Sequence, residues 1–110
     1  MVFIDYSGIS ALTELEKELI KKLILSYGEK LDTKLPPNTR IAINIKLYEK
    51  TGERKKYSIH ARLNVPDQVL VAEAADWDLE KTTHKVMKKI EAELNHVFKD
   101  LDRGFKKEYE

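Results

Sequence analysis

The stretch Val69-Leu70-Val71-Ala72, followed through Trp77-Asp78 by Leu79-Glu80-Lys81-Thr82-Thr83-His84-Lys85-Val86-Met87-Lys88-Lys89-Ile90, decides the fold, because a short apolar strand gives way there to a helical pattern. Leu79, Thr83, Val86, Ile90, Leu94, Val97 and Leu101 step by three or four residues and form one buried stripe. At about 100° per residue, Lys81, Lys85, Lys88, Lys99, Arg103 and Lys106 fall near the opposite side, and Glu80, Glu91 and Glu93 mostly on the flanks. A chain of formal net charge +1 is thus expected to gather positive charge on the outside of one helix. A polyanion backbone binds a row of like charges rather than a net charge.

Upstream of this stretch the periodicity is that of strands. Ile41, Ile43, Ile45 and Leu47 alternate with Ala42, Asn44, Lys46 and Tyr48, which predicts a half-buried strand. A turn at Lys50-Thr51-Gly52-Glu53 leads into a second alternating strand. Tyr57, Ile59, Ala61, Leu63 and Val65 point inward there, while Lys56, Ser58, His60, Arg62 and Asn64 point outward. Pro66-Asp67 makes the next turn, and the strand from about Gln68 to Ala75 offers Leu70, Ala72 and Ala74 to the core. Asp76 or Asp78 is expected to cap the last helix, where a carboxylate also suits the positive end of the dipole.

Nearer the N-terminus, Val2 to Tyr6 reads as a strand closed by Ser7-Gly8. Thr13-Glu14-Leu15-Glu16 has capping-box spacing, and Leu15, Leu19, Leu23, Tyr27 and Leu31 recur behind it as the expected apolar face of a helix. Gly28 weakens the last turns of that helix by about 1 kcal/mol relative to Ala, and Pro36-Pro37-Asn38 ends it. The order is strand, helix, three strands, helix. Short turns make the later strands an antiparallel meander, and the first helix is a crossover that sets strand one parallel to strand two. The expected fold class is α+β: two layers in β-α-β-β-β-α order, a four-stranded mixed sheet with both helices on one face, comparable to a double-stranded-RNA-binding domain.

The 110 residues suit one domain, assigned to 1–100, with 101–110 as a tail in which Gly104 ends or frays the helix. The chain has no cysteine, which rules out a disulfide, a thiolate nucleophile and a Cys-based zinc site. Met1-Val2-Phe3-Ile4-Asp5 lacks the basic flank and long apolar core of a signal peptide. No apolar run approaches membrane-spanning length, so the expected location is the cytoplasm, with no membrane partner.

Catalytic chemistry finds no support. Neither a phosphate loop, nor a Gly-rich dinucleotide turn, nor a nucleophile elbow is present. His84 and His96 share a helix, about 18 Å apart at 1.5 Å per residue, and His60 lies on a strand, so no metal site is expected. Most carboxylates stand beside lysines, as solvated ion pairs do. The reading is a non-enzyme without cofactor or small-molecule substrate. The ordinary account of the basic stripe is a solvated amphipathic face. Two features raise the other account: the acids avoid the outer line, and the open sheet face adds Lys46, Tyr48, Lys56, His60 and Arg62. The run Arg54-Lys55-Lys56 is read as a solvated turn that discourages edge pairing. Trp77 is read as packing at the helix start, and Tyr48 stands between cross-strand packing and RNA contact.

Val65-Pro66-Asp67-Gln68-Val69-Leu70-Val71-Ala72, then Asp78-Leu79, then Lys89-Ile90-Glu91-Ala92-Glu93-Leu94 resemble the ribosome hibernation-promoting factor family, which includes the ribosome-associated inhibitor proteins. The resemblance covers Val2 to about Phe98 and extends to the order of elements. It implies a short, single-domain stress-response protein that binds the small ribosomal subunit in the groove used by messenger RNA and tRNAs. Contact with ribosomal RNA would run through basic helix surfaces. Lys89 matches a Lys of the family's final-helix motif. The chain departs from the family at Ala92, where a basic residue is common. It departs also at Glu80, where an aromatic is usual, and at Lys81-Thr82, where a small apolar pair follows.

The residues expected to bind RNA are therefore Lys81, Lys85, Lys88, Lys89, His96 and Lys99 on the last helix, with Arg62 and Lys46 on the sheet. The expected function is ribosome binding that blocks translation by occupying the messenger and tRNA sites. The alternatives are a general double-stranded RNA-binding module, and a protein–protein adaptor that uses the open sheet face. The oligomeric state stays open.

Overall fold

The computed structural model describes residues 2–36, 39–52, 54–65 and 68–109, with the backbone alone at 49–50 and 98–109. Strand β1 (Phe3–Ser7) and a 3₁₀ turn (Ile9–Ala11) lead to helix α1 (Glu14–Asp32). Strands β2 (Arg40–Thr51), β3 (Arg54–Val65) and β4 (Gln68–Asp76) follow, then helix α2 (Leu79–Tyr109). The sheet order is β1-β2-β3-β4. β1 pairs with β2 in parallel, and the other two pairings are antiparallel. This is the two-layer α+β arrangement that the alternation and the crossover helix predict. The turns expected at Pro66-Asp67 and Pro36-Pro37-Asn38 fall wholly or partly outside the described residues.

One face of the sheet is buried and the other is open. Ile41, Ile43 and Ile45 of β2, Ile59, Ala61 and Leu63 of β3, and Leu70 and Ala74 of β4 form a single cluster with Ile20, Ile24 and Leu31 of α1. Val86, Met87, Ile90 and Leu94 of α2 join it. Both helices therefore cover the same face. α2 lies across β3 and β4 and packs against α1 beside it.

The stripe of α2 is as expected through Val97, and the side chain of Leu101 lies outside the described residues. Thr82 and Met87 are also fully buried, which widens the stripe. The two threonines fit because Thr82 Oγ1 donates to the Asp78 carbonyl (2.7 Å) and Thr83 Oγ1 to the Leu79 carbonyl (2.8 Å). The helix does not stop at Gly104; its backbone continues to Tyr109.

The apolar face of α1 is the expected one only in part: Tyr27 and Leu31 are buried and Leu19 packs against the core, but the row does not hold at its start. Leu15 is 79% exposed, while Ile20, Ile24, Tyr27 and Leu31 are buried. Successive steps of four advance about 40° beyond a full turn, so the row from Leu15 to Leu31 winds around the helix. Only a mixture of three and four, as in Ile20, Ile24, Tyr27, Leu31, stays on one side. α1 also runs unbroken through Gly28, which is buried with open van der Waals room beside Ile4. In β2, Leu47 keeps the inward register, paired with buried Tyr57, but is 37% exposed at the end of the covered face, next to the register shift between Leu47 and Glu49.

Two glycines give opposite expectations. Gly8 has φ +76°, and a Cβ there would sit 1.9 Å from the Ile45 carbonyl oxygen. Gly8→Ala should therefore cost more than about 1 kcal/mol. A Cβ at Gly28 would meet only Ile4 Cδ1, at 3.5 Å, so Gly28→Ala should stabilise by up to about 1 kcal/mol. Urea titrations of both variants check the pair; equal effects would contradict it.

The capping box on α1 is complete. Thr13 N–H donates to Glu16 Oε1 (2.9 Å) and Glu16 N–H to Thr13 Oγ1 (3.2 Å). The same carboxylate reaches the hairpin, accepting from the Tyr57 hydroxyl and from Lys55 Nζ at 3.3 Å. Burial alone would raise the Glu16 carboxyl, but the hydrogen bonds from Thr13, Tyr57 and Lys55 together hold it below the usual range. Burial, then the bond to Glu16, pushes the Tyr57 phenol up to about 12. A phenol with a raised folded pKa contributes stability that is whole below its unfolded value near 10.0 and is lost as the pH climbs through about 12. Tyr57→Phe should remove one late step from a spectrophotometric tyrosine titration and shallow the alkaline fall in denaturant midpoint. An unchanged alkaline limb would refute the assignment.

Candidate nucleic-acid interface

The start of α2 is fixed by two aspartates with different tasks. Asp76 Oδ1 accepts from the backbone N–H of Trp77 (2.6 Å) and of Asp78 (3.4 Å), which turns the chain out of β4. Asp78 Oδ1 accepts from Lys81 N–H (3.0 Å) and is the N-cap. From that start, burial of the apolar stripe sets which side chains face out.

The expected basic row then divides. Lys81 and Lys88 lie on the outer line of α2, exposed, with no side-chain hydrogen bond or ion pair among the described residues. Lys85 and Lys89 lean toward the free edge of β4. Lys85 Nζ sits 2.6 Å from Asp76 Oδ2, and Lys89 Nζ donates to the Glu73 carbonyl at 2.8 Å. They cover that edge as charged side chains commonly do. The Lys85 ammonium first, and the Trp77 N–H with it, hold the Asp76 carboxyl below its ordinary range. His96 is exposed on the same side as Lys89. The side chain of Lys99 lies outside the described residues.

Lys46 and Arg62 are exposed on the other side of the sheet. The pairing aligns Ser7, Asn44, His60 and Glu73 in one row across the four strands, and Asp5, Ala42, Arg62 and Val71 in the next. His60 Nδ1 lies 3.3 Å from Glu73 Oε2. These rows border an open depression of about 1010 Å³ lined by Asn44, His60, Arg62, Val71 and Glu73, and reached by Lys89 at its β4 edge. The seven expected residues whose side chains are described thus form no single cluster. They follow a band from the outer line of α2, over the β4 edge, to the open face.

The hairpin run Arg54-Lys55-Lys56 is not a freely solvated turn. The Arg54 guanidinium stands 5.0 Å from the ring centroid of half-buried Trp77. Lys55 pairs with Glu16, and Lys56 Nζ lies 5.7 Å from the Tyr48 ring centroid. The sequence signal for these pairs is the join of a basic run to a strand whose register is not visible until the bulge is known. Ser58, expected outward, is buried although it lies on the open face. His84 has a structural place between the helices: its Nδ1 is 2.7 Å from the Tyr27 hydroxyl, with the rings edge-on at 5.7 Å. Among the described residues no three His, Asp or Glu side chains converge as a metal site would require, and no helix is long and apolar enough to cross a membrane.

This arrangement of strands and helices has precedents. A ribosomal subunit interface protein from Coxiella burnetii superposes with a TM-score of 0.61 at 20% identity, over 88% of this chain and 97% of that one. The Thermus thermophilus Protein Y N-terminal domain gives 0.56 at 14% identity, over 87% and 97%. The chain has the fold of the hibernation-promoting factor family. The resemblance read from the residues around Pro66, Asp78 and Lys89 is therefore met again in the architecture. No family model matches the chain, and no curated protein matches it in sequence.

Proposed function

We propose that this protein binds the small ribosomal subunit through ribosomal RNA and inhibits translation by occupying the messenger and tRNA sites, without catalysis or cofactor. The observation that carries the reading is the outer line of α2. Lys81 and Lys88 stand exposed there with no carboxylate partner among the described residues, on a chain whose net charge is only +1. An isolated solvated helix is more simply balanced by alternating charges. The shared fold with a protein named for the ribosomal subunit interface supports the choice of partner. A ribosomal partner implies a cytoplasmic protein.

The mechanism is electrostatic docking followed by steric exclusion. Lysines that displace counterions from phosphates make the affinity depend steeply on salt. Lys81 and Lys88 meet phosphate without first leaving a protein partner. Lys85 and Lys89 must exchange Asp76 and the Glu73 carbonyl for phosphate, so each contributes less. A second reading, a protein–protein adaptor on the open sheet, draws on Val69 and Val71, which are 46% and 65% exposed.

Replacing Lys81, Lys85, Lys88 and Lys89 together by Gln should leave the fold intact, weaken co-sedimentation with small subunits and flatten its salt dependence by about one log–log unit for each phosphate no longer engaged. Inhibition of a cell-free translation reaction should fall in parallel. Lys81→Gln with Lys88→Gln should account for more of the loss than the Lys85, Lys89 pair. Glu18→Gln with Glu29→Gln on exposed α1 is the control. Unchanged affinity and salt slope in the quadruple variant would remove α2 as the docking surface, and a stable dimer with no ribosome association would favour the adaptor.

A further inference from the structure

Tyr48 is the residue that the bulge leaves over. Leu47 pairs with Tyr57 and Glu49 with Lys56, so Tyr48 has no partner in the β2–β3 ladder. An extra residue of this kind re-aims its side chain, and such bulges recur beside binding sites. Tyr48 is 67% exposed. A cross-strand packing role would bury it against a neighbour on β3, and the register supplies none. The cation beside its ring is Lys56 Nζ, 5.7 Å from the centroid. An aromatic face held in solvent beside a cation contributes little to folding, but it is what a nucleobase and its phosphate would meet.

The surroundings fit the same ligand. A hollow of about 550 Å³ opens beside the ring, lined by Tyr48, Lys56, Ser58, His60 and Ala75. Ser58 and Ala75 share a row with Lys46 and keep its floor low. The hollow shares His60, Glu73 and Lys89 with the larger depression, which leads on to Asn44 and Arg62. Lys46, Lys56 and Arg62 give this face three exposed or half-exposed cations. Of the described carboxylates on the sheet face, Glu73 is already faced by His60 and Asp5 by Arg40, while Glu93 of α2 lies at the far rim of the larger depression. The charge therefore favours an anionic strand over an acidic or apolar peptide.

We propose that the open sheet face is a binding site for a single-stranded RNA segment, with one unpaired base stacked on Tyr48. The phosphates run past Lys56, Lys46 and Arg62, and Asn44 and His60 offer hydrogen bonds to base edges. The proposal rests on the reading of this protein as an RNA binder and adds a second surface to it. α2 meets the phosphates of structured RNA, whereas the sheet accepts an unstacked base. A base inside a duplex has no free face to offer, so the sheet selects single strands.

The test uses the full chain and a fluorescently labelled oligoadenylate of about ten nucleotides, followed by anisotropy at two salt concentrations. Tyr48→Ala should weaken binding by about tenfold or more with the salt slope unchanged, because the phosphates keep all their cations. Tyr48→Phe keeps the ring and should stay within about twofold of the parent. Lys46→Gln with Lys56→Gln should lower the slope by about 0.7 for each phosphate left without its lysine, the value for single strands. The proposal is overturned if the parent does not bind oligoadenylate at low salt, if Tyr48→Ala binds as well as the parent, or if an RNA duplex of equal length competes as well as the single strand. Lys81→Gln with Lys88→Gln should leave oligoadenylate binding intact while weakening subunit binding. That contrast separates failure of the sheet site from failure of the α2 docking surface.

Discussion

Val86, Met87, Ile90 and Leu94 are fully buried where α2 lies across β3 and β4, and this contact fixes the rotation of the helix about its axis. With those four side chains inward, Lys81 and Lys88 have no course but outward. Lys85 and Lys89, on the side toward β4, fall within reach of Asp76 and the Glu73 carbonyl. A turn of the helix by one residue would carry all of these groups about 100° away and leave the edge of β4 bare. The same packing thus sets the core, protects the sheet edge and decides which cations remain available to a polyanion.

A second consequence follows from placing both helices on one side. Four strands with one covered face must present the other to water, and here that face is neither uniformly polar nor flat. The hairpin is tied back to α1 through Glu16, which completes the helix cap and receives Tyr57 and Lys55 of β3. That tie holds the base of the β2–β3 ribbon firmly just where the register shifts. Tyr48 can then stand away from the sheet without loosening the strands that carry it.

Much of this is legible in the residues. Alternation in Ile41-Ala42-Ile43-Asn44-Ile45 and in Tyr57 to Leu63 is local, and the sheet follows it. The α2 stripe mixes steps of three and four, so its face is well defined. The α1 face is not legible from spacing in fours, because Leu15, Leu19, Leu23, Tyr27 and Leu31 form a row that winds, while Ile20 and Ile24 sit on the true face. Alternation also runs straight through Leu47 and Tyr48 in the sequence, and nothing in it marks the extra residue. A bulge is a property of two strands, visible only when Leu47 and Glu49 are seen to pair with adjacent residues of β3. The row of α2 lysines is legible as charge, but its division into outer and edge-bound pairs is not. The partners of Lys85 and Lys89 come from β4, across a tertiary contact that periodicity does not encode.

The two cationic surfaces meet at β4, and their chemistry differs in a way that matters for recognition. On α2 the cations are flexible lysines on a convex helix, suited to phosphates at many spacings and indifferent to base identity. On the sheet the cations flank the Tyr48 ring, the Asn44 amide and the His60 imidazole, groups that would suit bases as well as phosphates. Lys89 belongs to both, since it lines the depression while anchored on α2. An RNA that folds back on itself, presenting a helix beside an unpaired strand, would satisfy both surfaces at once, with the β4 edge between them. A uniform duplex would engage only α2, and a free single strand only the sheet. If both surfaces bind RNA as proposed, one ligand linking them would make the second binding step intramolecular, and its affinity would exceed that for either part. On that proposal, selectivity for a structured RNA over bulk polyanion would come from geometry, in a chain whose net charge of +1 alone would give almost none.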